Sequence, residues 1–279
     1  MAVSTRSEFI DFIIPLKTRL DLYDRSKQPH DQPKNDAADP TRAMPQGFID
    51  AMTVRSEVFV KEQGVPLENE LDEDDARSFH WTVYASMPAR RDSAERDGGQ
   101  NGQKEGGGGG RRQSSSTKIP IGTIRLVPPP HFDHPNGGTS TDVHKAGEAY
   151  VKLGRLAVIK EFRKAGISKL LIDTAMQFIR EHPNSFNPQP DANTVETYGQ
   201  HRTTGDFTGL ILVHAQTGVQ KVWKRYGFET DASMGTWMEE GIEHVGMWKR
   251  LDTREARRKS RILLPTSVKG DHVEGLHVD

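Results

Sequence analysis

Apolar and polar positions along the chain alternate between short strand-like runs, a few helix-like runs and long polar stretches. The clearest unit is Tyr150–Arg180. Val151, Leu153, Leu156, Ala157, Val158 and Ile159 form an apolar run short enough for a buried strand. Arg163-Lys164-Ala165-Gly166-Ile167-Ser168 interrupts it, and Ile167, Leu170, Leu171, Thr174, Ala175, Phe178 and Ile179 then recur at helical spacing until Pro183. This predicts strand, tight loop, helix. Upstream, Phe9–Leu16 reads as a first strand, Pro45–Glu62 as a helix, and His80–Ala85 and Ile119–Val127 as strands. Downstream come a buried strand over Gly209–Ala215, a short helix over Thr217–Tyr226 stopped by Gly227, and strands over Phe228–Met238 and His244–Leu251. The runs at 150–159 and 209–215 flank a helix, which predicts parallel neighbours joined by a right-handed crossover. The other pairs read as antiparallel, so the class is α/β with a mixed sheet flanked by helices.

The polar stretches set the expected organisation. One domain spans 1–251, with insertions near 24–44, 88–118, 128–148 and 183–207, and 252–279 is a basic tail. The stretch at 88–118 carries a glycine run and almost no apolar residue, so it cannot bury a core and reads as a disordered insertion in a hairpin.

Composition narrows the class. The 279 residues suit one domain with additions, or at most two. A formal net charge of −1 gives no global case for nucleic acid, and Arg254–Arg261 is the only local one. Cysteine is absent, which excludes disulfides, thiolate nucleophiles and cysteine-ligated zinc. No metal site is expected, because the acidic run at 68–75 lacks the roughly twelve-residue calcium-loop spacing. No apolar run reaches membrane-span length, and the N-terminus, with Glu8 and Asp11, makes a poor signal peptide. The expectation is a soluble, cytoplasmic protein, with the nucleus left open.

The loop before the second helix suits an anion. A helix N-terminus offers unpartnered N–H groups and positive potential, Gly166 lets a ligand approach the backbone, and Arg163 and Lys164 add charge. An ordinary strand-to-helix turn with a solvated basic pair reads equally well from these residues alone. The sequence is neither a Walker loop nor a dinucleotide fingerprint, because the Gly-Lys-Ser/Thr and the Gly-x-Gly are missing.

Arg163-x-x-Gly166-x-Ser168 after an apolar strand resembles the (Gln/Arg)-x-x-Gly-x-(Gly/Ala) acetyl-CoA loop of the GNAT superfamily of N-acetyltransferases, with Ser168 in place of the last small residue. Three further stretches resemble the ElaA-like branch of that family. They are Arg55–Gln63 (RSEVFVKEQ) followed by Leu71–Asp75 (LDEDD), His214–Phe228 (HAQTGVQKVWKRYGF), and Met238–Met247 (MEEGIEHVGM). Together they cover most of 45–251 outside the insertions. The resemblance implies the GNAT fold, with a central sheet splayed between its parallel strands. It also implies an enzyme, an acyltransferase that uses acetyl-CoA (coenzyme A) and moves the acetyl group to a primary amine by direct attack in a ternary complex. The leading acceptor is a small molecule such as an amino sugar or polyamine. Protein or peptide lysine acetylation and a non-catalytic CoA-binding sensor or scaffold are the alternatives, and a homodimer is left open.

The resemblance also assigns sites. Leu156, Ala157 and Val158 line the cofactor by backbone, and one of their N–H groups is the expected oxyanion donor. Lys164, Ala165 and Ile167 complete the loop with Arg163, Gly166 and Ser168, while Gln216 and Trp223 complete the cofactor set. A lysine-like amine has a pKa of about 10.4, so near pH 7 only about one in a few thousand is ready to attack, and a base is needed. His244 is the candidate base, with an ordinary pKa of about 6.5. The strand position that holds a glutamate base in the histone-modifying branch falls near Lys152. Tyr226 is the candidate acid, because Trp223 occupies the usual tyrosine position; Tyr226 packing beside Phe228 is the plain alternative. Asp72, Asp74 and Asp75 on the acidic loop, with Arg155 and Glu240, are the candidate acceptor-binding residues, and Arg155 is also a candidate partner for the acidic loop; a merely solvated acidic face is the alternative.

Overall fold

The computed structural model describes residues 9–32, 44–88, 116–131, 134–136, 141–188 and 206–254. Most of the expected insertion at 88–118, and the tail beyond Arg254, lie outside the described residues. The chain forms two compact units. One holds the residues up to Pro128 together with Lys152–Ala175, and the other holds Pro129–Val151 and the residues from Met176 onward.

In the first unit β1 (Ile10–Ile13) pairs antiparallel with β2 (Phe79–Pro88), β2 with β3 (Ser116–Val127), and β3 with β4 (Tyr150–Val158). The first strand is shorter than its apolar run, and the 80–85 run extends at both ends. Helix α1 (Gln46–Arg55) turns Phe48, Ile49 and Met52 into a core with Ile13, Leu16, Leu20, Tyr23 and Leu71. The expected helix to Glu62 is right in extent but not in kind: Ser56–Glu62 continues α1 as a π-helix. Such wide turns are rare and recur at functional sites. Val54 and Val58 pack with Ala157 of β4, flanked by Phe59 and Ile159. The acidic stretch is not an open loop, because it forms a short helix, α2 (Leu67–Glu70), and a 3₁₀ turn over Glu73–Arg77.

Helix α3 (Ile167–Glu181) follows β4, as predicted. Its buried face is Leu171, Ile172, Ala175, Met176 and Ile179, while Leu170 is 44% exposed. The face is thus rotated from the expected one, since Ile172 and Met176 outcompete Leu170 and Thr174 for the interior. Gly122 of β3 lets the start of α3 lie close, because a Cβ there would sit 2.8 Å from Ile167 Cγ2 and 3.3 Å from the Ala157 carbonyl oxygen.

In the second unit β5 (Leu210–Gln216) pairs antiparallel with β8 (Ile242–Arg250). Both β6 (Glu229–Thr230) and β7 (Thr236–Glu239) also pair antiparallel with β8. Helix α4 (Gln220–Arg225) is shorter than its predicted span. Tyr150, Leu210, Leu212, Met234 and Trp248 form the core. The expected polar insertion near 128–148 contributes to the interior: His134 and His144 are buried and pack around Tyr150 and Trp248. Asp231 accepts from Trp248 Nε1 at 3.0 Å, which satisfies the buried indole. Among the described residues no helix is long and apolar enough to cross a membrane.

Candidate active site

The geometry of β4 is the first unusual feature. Thr123 of β3 faces Ala157 and Arg125 faces Gly154, so two steps along β3 match three along β4. The extra residue makes a β-bulge at Arg155–Leu156, opposite Ile124. Arg155 has φ +49°, in the left-handed region, which costs a non-glycine residue roughly 1–3 kcal/mol and persists only where the surroundings impose it. The predicted cofactor-lining residues Leu156, Ala157 and Val158 follow directly on the bulge.

The loop after β4 has the shape its sequence suggested. Arg163 is extended, Lys164 and Gly166 are left-handed with φ +68° and +82°, and α3 begins at Ile167. A Cβ on Gly166 would meet nothing within 4 Å, so the space beyond it is open to an incoming group, and only glycine takes this backbone without strain. Residues 163–166 are exposed, and Ile167 and Ser168 are half-buried. The Arg163 side chain is not loose: Nε donates to the Val158 carbonyl at 3.0 Å, and Nη1 and Nη2 reach Glu62 at 2.7 and 2.5 Å. Glu62 lies at the end of the π-helical stretch, which brings that stretch to the loop.

Beside the bulge lies a cluster of three arginines and three carboxylates. Arg55, fully buried, donates Nε to Glu70 at 2.5 Å and Nη1 and Nη2 to Asp75 at 2.7 and 3.0 Å. Arg125 grips both oxygens of Asp72 at 2.6 and 2.9 Å and also reaches Asp75 at 2.9 Å. Arg155 reaches Asp72 at 3.0 Å and Glu70 at 3.4 Å. Burial alone would raise the pKa values of Asp75 and Asp72 and lower those of Arg55 and Arg125, but the mutual charges reverse this. Both carboxyls are held below their usual range, Asp75 well below. Burial holds the His80 imidazole, against Asp75, down to about 4.

This arrangement changes the meaning of the acidic run. The expected reading was an acidic surface that draws a cationic acceptor. Asp75 is wholly buried and both its oxygens are used, Asp72 is shared by two arginines, and Asp74 pairs with Arg77. Three positive groups balance three negative ones in the cluster, so it presents no free acidic field.

The remaining predicted residues belong to the second unit. Gln216 of β5 faces His244 of β8. His244 is 8% exposed, and its Nδ1 lies 2.9 Å from the Ile242 carbonyl, which fixes Nδ1 as the donor and leaves Nε2 as the basic nitrogen. Trp237, opposite on β7, lies near-parallel to the His244 ring at 6.3 Å. Trp223, expected as a pocket wall, is 4% exposed and packs edge-on to Phe228, so its ring belongs to the core. Tyr226 lies one residue past α4 as its cap, and its carbonyl accepts from Lys249 Nζ; it is not on a helical face with Trp223. Glu240 is exposed with φ +50° and forms the β7–β8 turn with Gly241.

A bulged strand runs through a left-handed loop into a helix N-terminus. The chain has a mixed α/β fold, with helices packed on its strands. No family model matches the chain. It is 25% identical over 200 residues to YjcF of Bacillus subtilis, described as an uncharacterized N-acetyltransferase; the match covers 72% of this chain and 90% of that protein. Similar solved structures include Escherichia coli ElaA, with 14% identity, TM-score 0.39, and 74% and 92% of the two chains covered. An acyl-CoA N-acyltransferase from Pseudomonas aeruginosa shows 17% identity and TM-score 0.39, covering 80% and 96%. The CoA-dependent acyl-homoserine lactone synthase BjaI shows 13% identity and TM-score 0.43, covering 95% and 94%. ElaA is one of several such neighbours and is not singled out among them.

Sequence reasoning missed Glu62 and Arg125, and read Glu70 only as part of the acidic run. For Arg125 a signal was present: Arg55, Arg125 and Arg155 each interrupt an apolar run, and a guanidinium in such a place needs buried carboxylates.

Proposed function

We propose that this chain is an acetyl-CoA-dependent N-acetyltransferase that acts on a small primary amine. The observation that carries the reading is the passage from the β4 bulge through left-handed Lys164 and Gly166 into α3, with open space beyond Gly166. The residues fit the cosubstrate. N–H groups at the start of α3 and the side of the loop bearing Lys164 would receive its pyrophosphate, and the acyl arm would run along β4. Acetyl-CoA supplies the activated acyl group. The N–H of Ala157 or Val158 stabilises the charge that develops on the carbonyl oxygen.

His244 takes the proton of the attacking amine at Nε2, because its Nδ1 is held by a carbonyl. Tyr226 is the donor to the departing thiolate. For the acceptor, an amino sugar fits better than a polyamine. A polyamine would gain from unmatched carboxylates, and those of Asp72 and Asp75 are matched.

The test is thiol release from acetyl-CoA against a panel of amino sugars, polyamines, amino acids and lysine peptides. Amine-dependent release from one small-amine class is the expected result. Release only with lysine peptides would transfer the reading to protein acetylation. CoA binding without release from any amine would contradict an enzyme.

A further inference from the structure

One carboxylate grips both strands at the place where their register breaks. Arg125 of β3 and Gly154 of β4 are register partners, and Arg155 is the next residue, where the bulge begins. Asp72 receives Nη1 and Nη2 of Arg125 at 2.6 and 2.9 Å and Nη2 of Arg155 at 3.0 Å. Two of these three bonds end on the same oxygen, Oδ2. Arg155 has φ +49°, a conformation an ordinary side chain leaves unless it is held. Asp72 is itself fixed: it begins the 3₁₀ turn Glu73–Arg77, with its side chain and that of Asp75 exchanging bonds with each other's backbone N–H groups. Glu70, 3.4 Å from Arg155, is anchored by Arg55.

We infer that Asp72 is a positioning residue whose carboxylate staples β3 to β4 across the bulge and so holds Arg155 left-handed. Through Arg155 it sets the direction in which the N–H groups of Leu156, Ala157 and Val158 point. It touches no reacting atom. The inference rests on the proposed acyl transfer only for its effect on rate, since its effect on β4 stands alone.

Consequently the strand needs the backbone angle at 155 more than it needs the guanidinium. Glycine takes a left-handed φ about as readily as a right-handed one, whereas a β-branched residue resists it. Arg155→Gly therefore preserves the bulge without the staple, and Arg155→Val loses it. For the same reason Arg155→Gly rescues Asp72→Asn.

The experiment measures amide hydrogen exchange at 156–158, thiol-release kinetics and melting temperature for five proteins: wild type, Asp72→Asn, Arg155→Gly, Arg155→Val and Asp72→Asn/Arg155→Gly. The expected result is a changed exchange pattern at 156–158 and a kcat lowered about tenfold or more in Asp72→Asn and Arg155→Val, with KM for acetyl-CoA within about threefold. Arg155→Gly and the double variant keep the wild-type exchange pattern at 156–158. A residue that contributed stability alone would lower the melting temperature of the double variant without restoring its exchange pattern, and that outcome overturns the inference. So does an unchanged exchange pattern in Asp72→Asn. Should Asp72→Asn not fold, the contrast between Arg155→Gly and Arg155→Val decides, and equal behaviour of the two overturns it. A wild type that releases no thiol overturns the proposed activity, and the exchange data still decide the staple.

Discussion

Arg163 and Glu62 form a two-pronged ion pair, 2.7 Å from Nη1 to Oε1 and 2.5 Å from Nη2 to Oε2, at the mouth of the loop that leads into α3. The pair lowers the pKa of Glu62, mainly through the hydrogen bond from Arg163. It also ties the last turn of the π-helical stretch to the loop that leads into α3. The partners are 38% and 39% exposed, so the pair adds little to stability, within about 0–1 kcal/mol. Its consequence is electrostatic, because Glu62 cancels charge that the loop would otherwise turn toward an anion.

Glu62→Gln should therefore tighten CoA binding at low salt. An exposed pair of this kind sets an upper scale of about 1 kcal/mol, or about fivefold in Kd, and screening should erase the gain near 1 M salt. Calorimetric titration at two ionic strengths checks this. Weaker binding at low salt would mean that Glu62 supports the loop instead of opposing its charge.

Gly166→Asp should abolish CoA binding. It puts a side chain on a left-handed backbone and a carboxylate where the pyrophosphate would lie. Gly166→Ala carries only the backbone strain and should weaken binding less. Equal affinities for wild type and Gly166→Asp, by calorimetry, would remove the loop from the cofactor site.

His244→Ala should lower kcat by about 10²-fold or more, the usual scale of general-base catalysis, and leave CoA affinity within about threefold. The imidazole is oriented by the Ile242 carbonyl, so His244→Gln should also lose turnover while the fold remains intact. Normal kinetics across the pH range in His244→Ala would exclude it from the mechanism.

Acid should destabilise the protein in two stages. His80 is held at about 4, chiefly by burial, against an ordinary 6.5. The unfolded chain then takes the proton first as pH falls, so this contribution is complete above about pH 6.5 and is lost on the way down to about 4. Asp72 and Asp75 are held below their ordinary 3.8, so theirs is complete above that value and is lost as pH falls further. The melting temperature should decline gently from pH 6.5 to 4 and steeply below. His80→Gln should flatten the first decline and leave the second. An unaltered first decline in His80→Gln would place the acid sensitivity elsewhere, with buried His144 the next residue to test.

The order of strands and helices was legible because burial on one face writes a period into the sequence. The β4–loop–α3 unit shows this well: the apolar run, the Gly166 break and the helical spacing each correspond to an observed element. The same reasoning placed the α3 face wrongly at Leu170, because Leu170, Leu171 and Ile172 are equally apolar and only the neighbouring sheet chooses among them. The π-helical stretch at Ser56–Glu62 was invisible, since its apolar spacing is close to that of an α-helix. The bulge at Arg155 was equally hidden, because a left-handed arginine leaves no local signature and depends on Asp72, which is 83 positions away. Charge was legible only in part: Arg155 reads as a partner of the run at 68–75, but the matching by Arg55 and Arg125 shows only once the chain is folded. In the second unit Gly227, left-handed at φ +76°, ends α4 where the sequence put it, and the shortening is at the other end, where Thr217–Val219 forms a 3₁₀ turn.

The most direct measurement follows the acyl group itself. Wild-type protein is incubated with acetyl-labelled CoA and an amine active in thiol release, and the products are identified by mass spectrometry. The predicted result is label in an amide on the acceptor nitrogen, lost in both Gly166→Asp and His244→Ala. Label recovered only as free acetate, or transferred equally by wild type and both variants, would contradict N-acetyl transfer by this site.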